Sequence, residues 1–265
     1  MNNSNISLYY SRTPSPIKES LREIKRRILW TFGKQIQGRR EQLPKWHNRY
    51  RGQKAVICCN GPSLNGVNLE QLNGTFTFGL NKIYLKYPDT SWRPSVIVAV
   101  NPLVIEQARE VYERDTIPLF LSSYGTRHIK RRNEVEFLYS LSSHIFSLNP
   151  SIGVFEGYTV TYVALQLAYY FGFAKVALVG CDHNFSTKGP ASMVVKTHGQ
   201  DNNHFAANYF GDGTAWQLPD LEGSEFAYRM AREAFHADGR QIVNCTVGGN
   251  LELFYRQPLD QFLNS

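Results

Sequence analysis

From Lys54 onward the apolar residues fall into short dense runs rather than one long periodic stripe. Lys54–Cys59, Thr75–Leu80, Ser95–Val100, Leu119–Ser122, His144–Leu148, Lys175–Val179 and Gln241–Asn244 carry the β-branched and aromatic content of strands. Glu106–Arg114, Thr159–Phe171 and Glu222–Ala237 between them predict helices. This alternation predicts an α/β fold, a Rossmann-like doubly wound and mostly parallel sheet. Residues 184–219 break the pattern, being rich in Gly, Asn, Asp and His without period. Such an insert predicts a lid or binding loop. The nearly uncharged stretch Val154–Ala174 holds Glu156, Thr159, Thr161 and Gln166, and so predicts a buried helix rather than a membrane span.

The first 50 residues read differently, which divides the chain into an arm (1–50) and a Rossmann-like domain (51–265). The first 15 are polar and predict disorder. Ser15-Pro16 then supplies a cap and a proline at the first helical position. Ile17, Leu21, Ile24, Ile28 and Phe32 recur at helical spacing, with Lys18, Arg22, Lys25, Arg26 and Lys34 on other faces. The prediction is a basic amphipathic helix that frays near Gly33 and Gly38.

Charge sharpens that division. Residues 1–54 hold 13 Lys/Arg against 3 acidic residues, a balance of +10, and the remainder carries 16 against 19, or −3. The net charge of +7 therefore sits in the arm, and a mildly acidic body argues against nucleic acid as a partner. The basic helix, residues 16–36, suits contact with an anionic bilayer, to which each Lys or Arg adds ~1 kcal/mol. Its alternative partners are its own domain or a second subunit in a homo-oligomer. Cys58, Cys59, Cys181 and Cys245 lie in apolar runs with no zinc spacing, and nothing resembles a secretory signal. The expectation is buried free thiols in a reducing cytoplasm, with the protein peripheral to the inner membrane face.

Four predicted strands end in a short polar residue: Asn60, Asn81, Asn101 and Asp182. Ligands of open α/β sheets bind beyond the carboxyl ends of the strands, at the topological switch point. Asparagine offers a donor and an acceptor together, suited to a ribose, phosphate or sugar hydroxyl, although Asn and Asp also simply terminate strands and cap turns. Gly61 lets backbone approach a ligand, and Ser63, after Pro62, is placed to cap a turn whose N–H groups face an anion. Asn60–Ser63 has one glycine, so it is not the dinucleotide fingerprint, and no Gly-Lys-Ser/Thr follows to make a P-loop.

Val56-Ile57-Cys58-Cys59-Asn60-Gly61-Pro62-Ser63-Leu64 resembles the opening strand and loop of the small bacterial sialyltransferases. It is also similar to the family named for the archaeal 6-hydroxymethylpterin diphosphokinase, the MptE-like proteins, and to the motility-associated glycosyltransferases. Phe78-Gly79-Leu80-Asn81, Val100-Asn101-Pro102, Gly180-Cys181-Asp182-His183-Asn184-Phe185, Asp201-Asn202-Asn203-His204-Phe205 and Asn208-Tyr209-Phe210-Gly211 follow in the same order, over roughly residues 50–250. The resemblance implies a glycosyltransferase of surface-glycan assembly. Its donor would be a CMP-activated sugar, sialic, nonulosonic or Kdo-like, and its acceptor a glycan or glycolipid. It would lay Asn60, Asn81 and Asn101 along phosphate and sugar with Thr159 and Thr161 nearby, and Gly180 and Asp182 against the cytidine. Two positions depart from the sialyltransferases: Asn184 stands where they have a phosphate-binding tyrosine, and Asn208 aligns with their catalytic histidine.

Glycosyl transfer needs a base for the acceptor hydroxyl, a task that suits histidine. His204, flanked by Asp201 and Phe205 in the lid, is the first candidate, His183 beside Asp182 is the second, and Tyr209 is placed to donate to phosphate. His128 and His198 read as surface residues, and His144, opening a predicted strand, as a donor to backbone. Asp182, His183, His198, Asp201, His204 and Asp212 lack the fixed intervals of zinc or calcium motifs. Magnesium held jointly by Asp182 and nucleotide phosphates belongs to the alternative activity, a magnesium-dependent diphosphokinase. A non-catalytic nucleotide-binding relative is the third reading.

Overall fold

The structure, a computed structural model, describes residues 43–130, 132–187 and 189–265, with positions 21, 24, 25, 27, 28 and 30 of the arm. The chain divides into two compact units, Met1–Arg40 and Glu41–Ser265. In the first, the described positions are helical, and Leu21, Ile24 and Ile28 of the expected apolar face are exposed. Ile17, Phe32, the Ser15-Pro16 cap, Gly33, Gly38 and the polar first 15 residues lie outside the described residues.

The second unit is built on one eight-stranded sheet. Its strands are β1 (Lys54–Cys58), β2 (Phe76–Leu80), β3 (Val96–Ala99), β4 (Leu119–Ser122), β5 (Val135–Leu138), β8 (Lys175–Val179), β11 (Gln241–Asn244) and β12 (Tyr255–Arg256). They run in the order β12-β11-β8-β1-β2-β3-β4-β5, and every neighbouring pair is parallel. Ala55 and Ile57 of β1 enter the main core, while Val56 and Cys58 point to the other face and are equally buried. That double burial explains the absence of polar alternation in the strand. Two further pairs stand apart from the sheet, β6 (Ser140–Leu141) with β7 (Val154–Phe155), and β9 (Val194–Lys196) with β10 (Ala215–Gln217).

The helices are α1 (Pro102–Gln107), α2 (Arg109–Arg114), α3 (Val160–Phe171), α4 (Leu221–Ala237) and α5 (Leu259–Asn264). Helix α3 is buried along most of its length, capped at one end by Thr159 and at the other by Gly172, whose φ of 95° needs a glycine. Its one central polar residue, Gln166, is fully satisfied: Nε2 donates to the Phe155 carbonyl and Oε1 accepts from Ser147 N.

Several expectations change. The domain starts before residue 51, because Trp46 stacks on Phe171 at 4.8 Å and the backbone of 48–52 bonds to that of 170–172. The predicted helix Glu106–Arg114 starts earlier, at Pro102, and breaks at Ala108 into α1 and α2. His144–Leu148 is not a strand; its backbone is served by side chains of α3, with Tyr162 donating to the Ile145 carbonyl and Gln166 accepting from Ser147 N. Strand β5 went unpredicted because Glu134 and Glu136 interrupt its apolar run, although Glu136 is buried. Strand β12 follows the one expected to be last. All four cysteines are free and buried, and burial pushes the Cys58 thiol well up and that of Cys245 up to about 12.

Candidate functional site

From β1 the chain adds strands outward through β5, then returns to lay β8 on the other side of β1. The switch point therefore lies between the carboxyl ends of β1 and β8, where Asn60-Gly61 and Gly180-Cys181-Asp182 meet. The two loops are locked together: Cys59 N donates to the Val179 carbonyl at 2.9 Å and Gly61 N to the Gly180 carbonyl at 2.8 Å. Gly61 is required here, because a Cβ on it would stand 1.9 Å from Asp182 Oδ2.

Beyond these ends opens a cleft of about 690 Å³, counted with its mouth. Of the residues read from sequence, Asn60, Gly61, Asn81, Thr159, Thr161, Gly180, Asp182, His183 and His204 line it. Pro62, Ser63, Asn101 and Tyr209 do not. Asn60 Oδ1 and Asn81 Oδ1 are buried without a hydrogen-bond partner, so a donor from a ligand would satisfy each. Asn81 also holds φ at 48°, which asparagine tolerates better than most residues.

The other strand-end groups have local duties. Asn101 caps α1, its Oδ1 accepting from Leu103 N at 2.9 Å, and its amide donates to Gln217 of the lid. Ser63 gives both its N–H and its hydroxyl (2.7 Å) to the Asp182 carboxylate. The anion expected to face that turn is thus supplied by the protein itself, and Asp182 is committed to it. Among the described residues no group of three or more His, Cys, Asp or Glu side chains is placed to hold a metal ion.

The lid lies down on the sheet ends. Phe205 N donates to the Asn60 carbonyl, Asn65 Nδ2 to the Phe205 carbonyl, Lys82 Nζ to the Tyr209 carbonyl and Gln107 Nε2 to the Ala215 carbonyl. Within it His204 stacks face to face on Tyr209, with ring centroids 4.0 Å apart and planes 6° apart. Tyr209 is buried, and burial raises its pKa; it supports His204 from behind rather than reaching the cleft. His204 Nδ1 lies 2.8 Å from Asp201 Oδ2. Burial works to raise the Asp201 pKa, but the bond and charge of His204 and the N–H of Asn203 outweigh it and hold the carboxyl below its ordinary value. An ionised carboxylate can only accept, so Nδ1 carries the proton and Nε2 of the neutral ring keeps its lone pair.

His183 is a less free group: its Nε2 is 3.2 Å from Glu225 Oε1. His144 meets the Tyr158 hydroxyl at 2.9 Å instead of donating to a strand backbone. Sequence reasoning missed Lys82, a buried lysine under the lid; burial draws its ammonium down to about 8, with Asp201 opposing. No motif marks it, since its burial comes from the lid folding over it.

A parallel sheet with a lidded cleft at its switch point defines a Rossmann-like doubly wound α/β fold. The chain belongs to the MptE-like family: the model for 6-hydroxymethylpterin diphosphokinase MptE-like proteins matches residues 32–188. No match is found among curated proteins. Among solved structures the chain is similar to the MAf glycosyltransferase from Magnetospirillum magneticum AMB-1, at 14% identity and a TM-score of 0.49, over 83% of this chain. It spans 38% of that protein's length.

Proposed function

We propose that this protein is a transferase that activates an acceptor hydroxyl with His204 and takes its donor from a nucleotide-activated sugar, CMP-linked as the resemblance to the small bacterial sialyltransferases implies. The observation that carries the reading is His204, bonded to the buried Asp201, on the wall of a cleft at the switch point. His204 Nε2 takes the acceptor proton, the acceptor oxygen bonds to the anomeric carbon, and the bond from that carbon to the phosphate oxygen breaks, releasing the nucleotide. Asp201 keeps the ring in the correct tautomer and stabilises the imidazolium that forms. No Lys or Arg lines the cleft. The leaving phosphate would therefore rest on the N-terminus of α3 and the hydroxyls of Thr159 and Thr161.

The family's description favours a second reading, diphosphate transfer from ATP to a pterin-like alcohol. The same His204 would serve it, with magnesium on the phosphates and, at most, one protein carboxylate. The exposed Leu21, Ile24 and Ile28, within a segment (residues 1–54) of charge +10, support a peripheral contact with the cytoplasmic face of an anionic membrane, where a lipid-linked acceptor would be reached.

Thermal shift with CMP, CDP, UMP, UDP, GDP and ATP, with and without magnesium, separates the readings. A ligand at 100 times its Kd adds ~2.7 kcal/mol of stability. Selective stabilisation by CMP favours the sugar transferase; stabilisation by ATP only with magnesium, and none by CMP, overturns it in favour of the diphosphokinase. His204→Ala is expected to lower turnover ~10²- to 10⁴-fold while nucleotide binding persists. Unchanged turnover removes His204 from the mechanism, and silence from all six nucleotides leaves a non-catalytic relative.

A further inference from the structure

Tyr158 stands at the mouth of the cleft in a conformation that a side chain of its size avoids. Its φ is 63°, directly after Gly157 at 58°. The surroundings hold it there. Gly157 admits no side chain, because a Cβ would meet the Tyr162 ring at 2.2 Å. Gly223, in the first turn of α4, leaves its backbone bare beneath the Tyr158 ring; a Cβ there would lie 2.7 Å from Cγ and Cδ2 of that ring. The Tyr158 hydroxyl is tied to His144 Nε2 at 2.9 Å, and Phe155 meets the ring edge-on at 5.8 Å. A ring fixed at its back, edge and tip nevertheless stays 44% exposed and lines the cleft. Two glycines and a strained backbone thus hold a partly exposed aromatic side chain at the wall of the cleft.

Its place in the chain says which part of a ligand would meet it. Tyr158 precedes Thr159, the N-cap of α3, so it borders the helix end on which a phosphate would rest. We propose that Tyr158 is the platform on which the planar heteroaromatic ring of the ligand stacks, a nucleobase or a pterin. The proposal rests on the cleft being a nucleotide-type site, and both proposed activities supply such a ring. Stacking asks only for a π-face, which suits a cleft without a Lys or Arg to grip a charge.

The test is calorimetric titration of the wild type, Tyr158→Phe and Tyr158→Asn with CMP, ATP and 6-hydroxymethylpterin. Ribose 5-phosphate, which has the phosphate but no base, competes in parallel. Asparagine tolerates positive φ, so the Asn variant is expected to melt no lower than a few degrees below the wild type. The ring ligand that binds the wild type is expected to lose roughly ten- to a hundred-fold in affinity with Tyr158→Asn and nothing with Tyr158→Phe. Which ligand responds tells nucleobase from pterin. Ribose 5-phosphate is expected to compete equally in all three proteins. Undiminished ring-ligand affinity in the Asn variant, or a parallel loss for ribose 5-phosphate, overturns the platform and leaves the nucleotide site standing. Failure of all three ring ligands on the wild type, with CDP, UMP, UDP and GDP equally silent, overturns the nucleotide site itself, and the platform with it.

Discussion

Gly61→Ala tests how the cleft floor is built. The new methyl would stand 1.9 Å from Asp182 Oδ2, 2.7 Å from its Cγ and 2.7 Å from the Gly180 carbonyl oxygen. The carboxylate can turn away, but only by leaving the N–H and hydroxyl of Ser63. The Gly180 carbonyl cannot turn, because it accepts from Gly61 N across the junction of β1 and β8. Losing the Ser63 bonds costs about 1 kcal/mol each, at the low end for a half-exposed carboxylate. Overpacking against backbone adds about 1–3 kcal/mol. The sum is about 3–5 kcal/mol, or a melting temperature lower by about 6–20 °C for a domain of this size. Gly66→Ala is the control, since a Cβ there meets nothing within 4 Å. Denaturant unfolding of Gly61→Ala in the wild-type and Asp182→Ala backgrounds completes a double-mutant cycle. With the carboxylate gone, the alanine should cost at least 1 kcal/mol less. A loss below about 0.5 kcal/mol in the single variant, or the same cost in both backgrounds, would refute the packing account.

The strand-end asparagines should separate by function. Asn60→Ala removes a buried acceptor without a partner, so stability should hold within about 0.5 kcal/mol while nucleotide affinity falls. Asn101→Ala should do the reverse, costing about 1 kcal/mol of stability through the lost α1 cap and leaving affinity unchanged. Thermal melts with and without CMP read both. Lys82, packed on Tyr209 and Phe210 and near Asp201, has a folded pKa of about 8 against an ordinary 10.5. The unfolded chain therefore binds more protons between these values, and this residue's penalty is relieved as pH rises through that window. The stability of the wild type minus that of Lys82→Met should rise from pH 8 to 10; a flat difference would show that the ammonium is not desolvated.

Local pattern decided much of this protein. Dense apolar runs made β1, β2, β3, β4 and β8 legible because a strand buried on both faces carries no polar alternation, and the Thr159 cap and Gly172 stop bounded α3. The same pattern located the polar strand ends and the aperiodic lid. It failed where neighbours overrode it: β5 buries Glu136 beside β4, and the 144–148 segment trades strand pairing for bonds from α3. Tertiary structure alone decided the site. Which strand lies beside β1 is a long-range choice, and it makes the junction with β8 the switch point and leaves Asn101 two strands away as a helix cap. Asp182 was readable as a strand-end carboxylate, but its commitment to Ser63, 119 residues away, was not. Asp201 and His204 are three apart in sequence, yet only the lid folded onto Lys82 and the sheet ends puts His204 on the wall of a cleft with Asp201 behind it. Periodicity and capping are properties of a few adjacent residues, whereas burial, ligand access and the strain at Tyr158 arise only when distant segments meet.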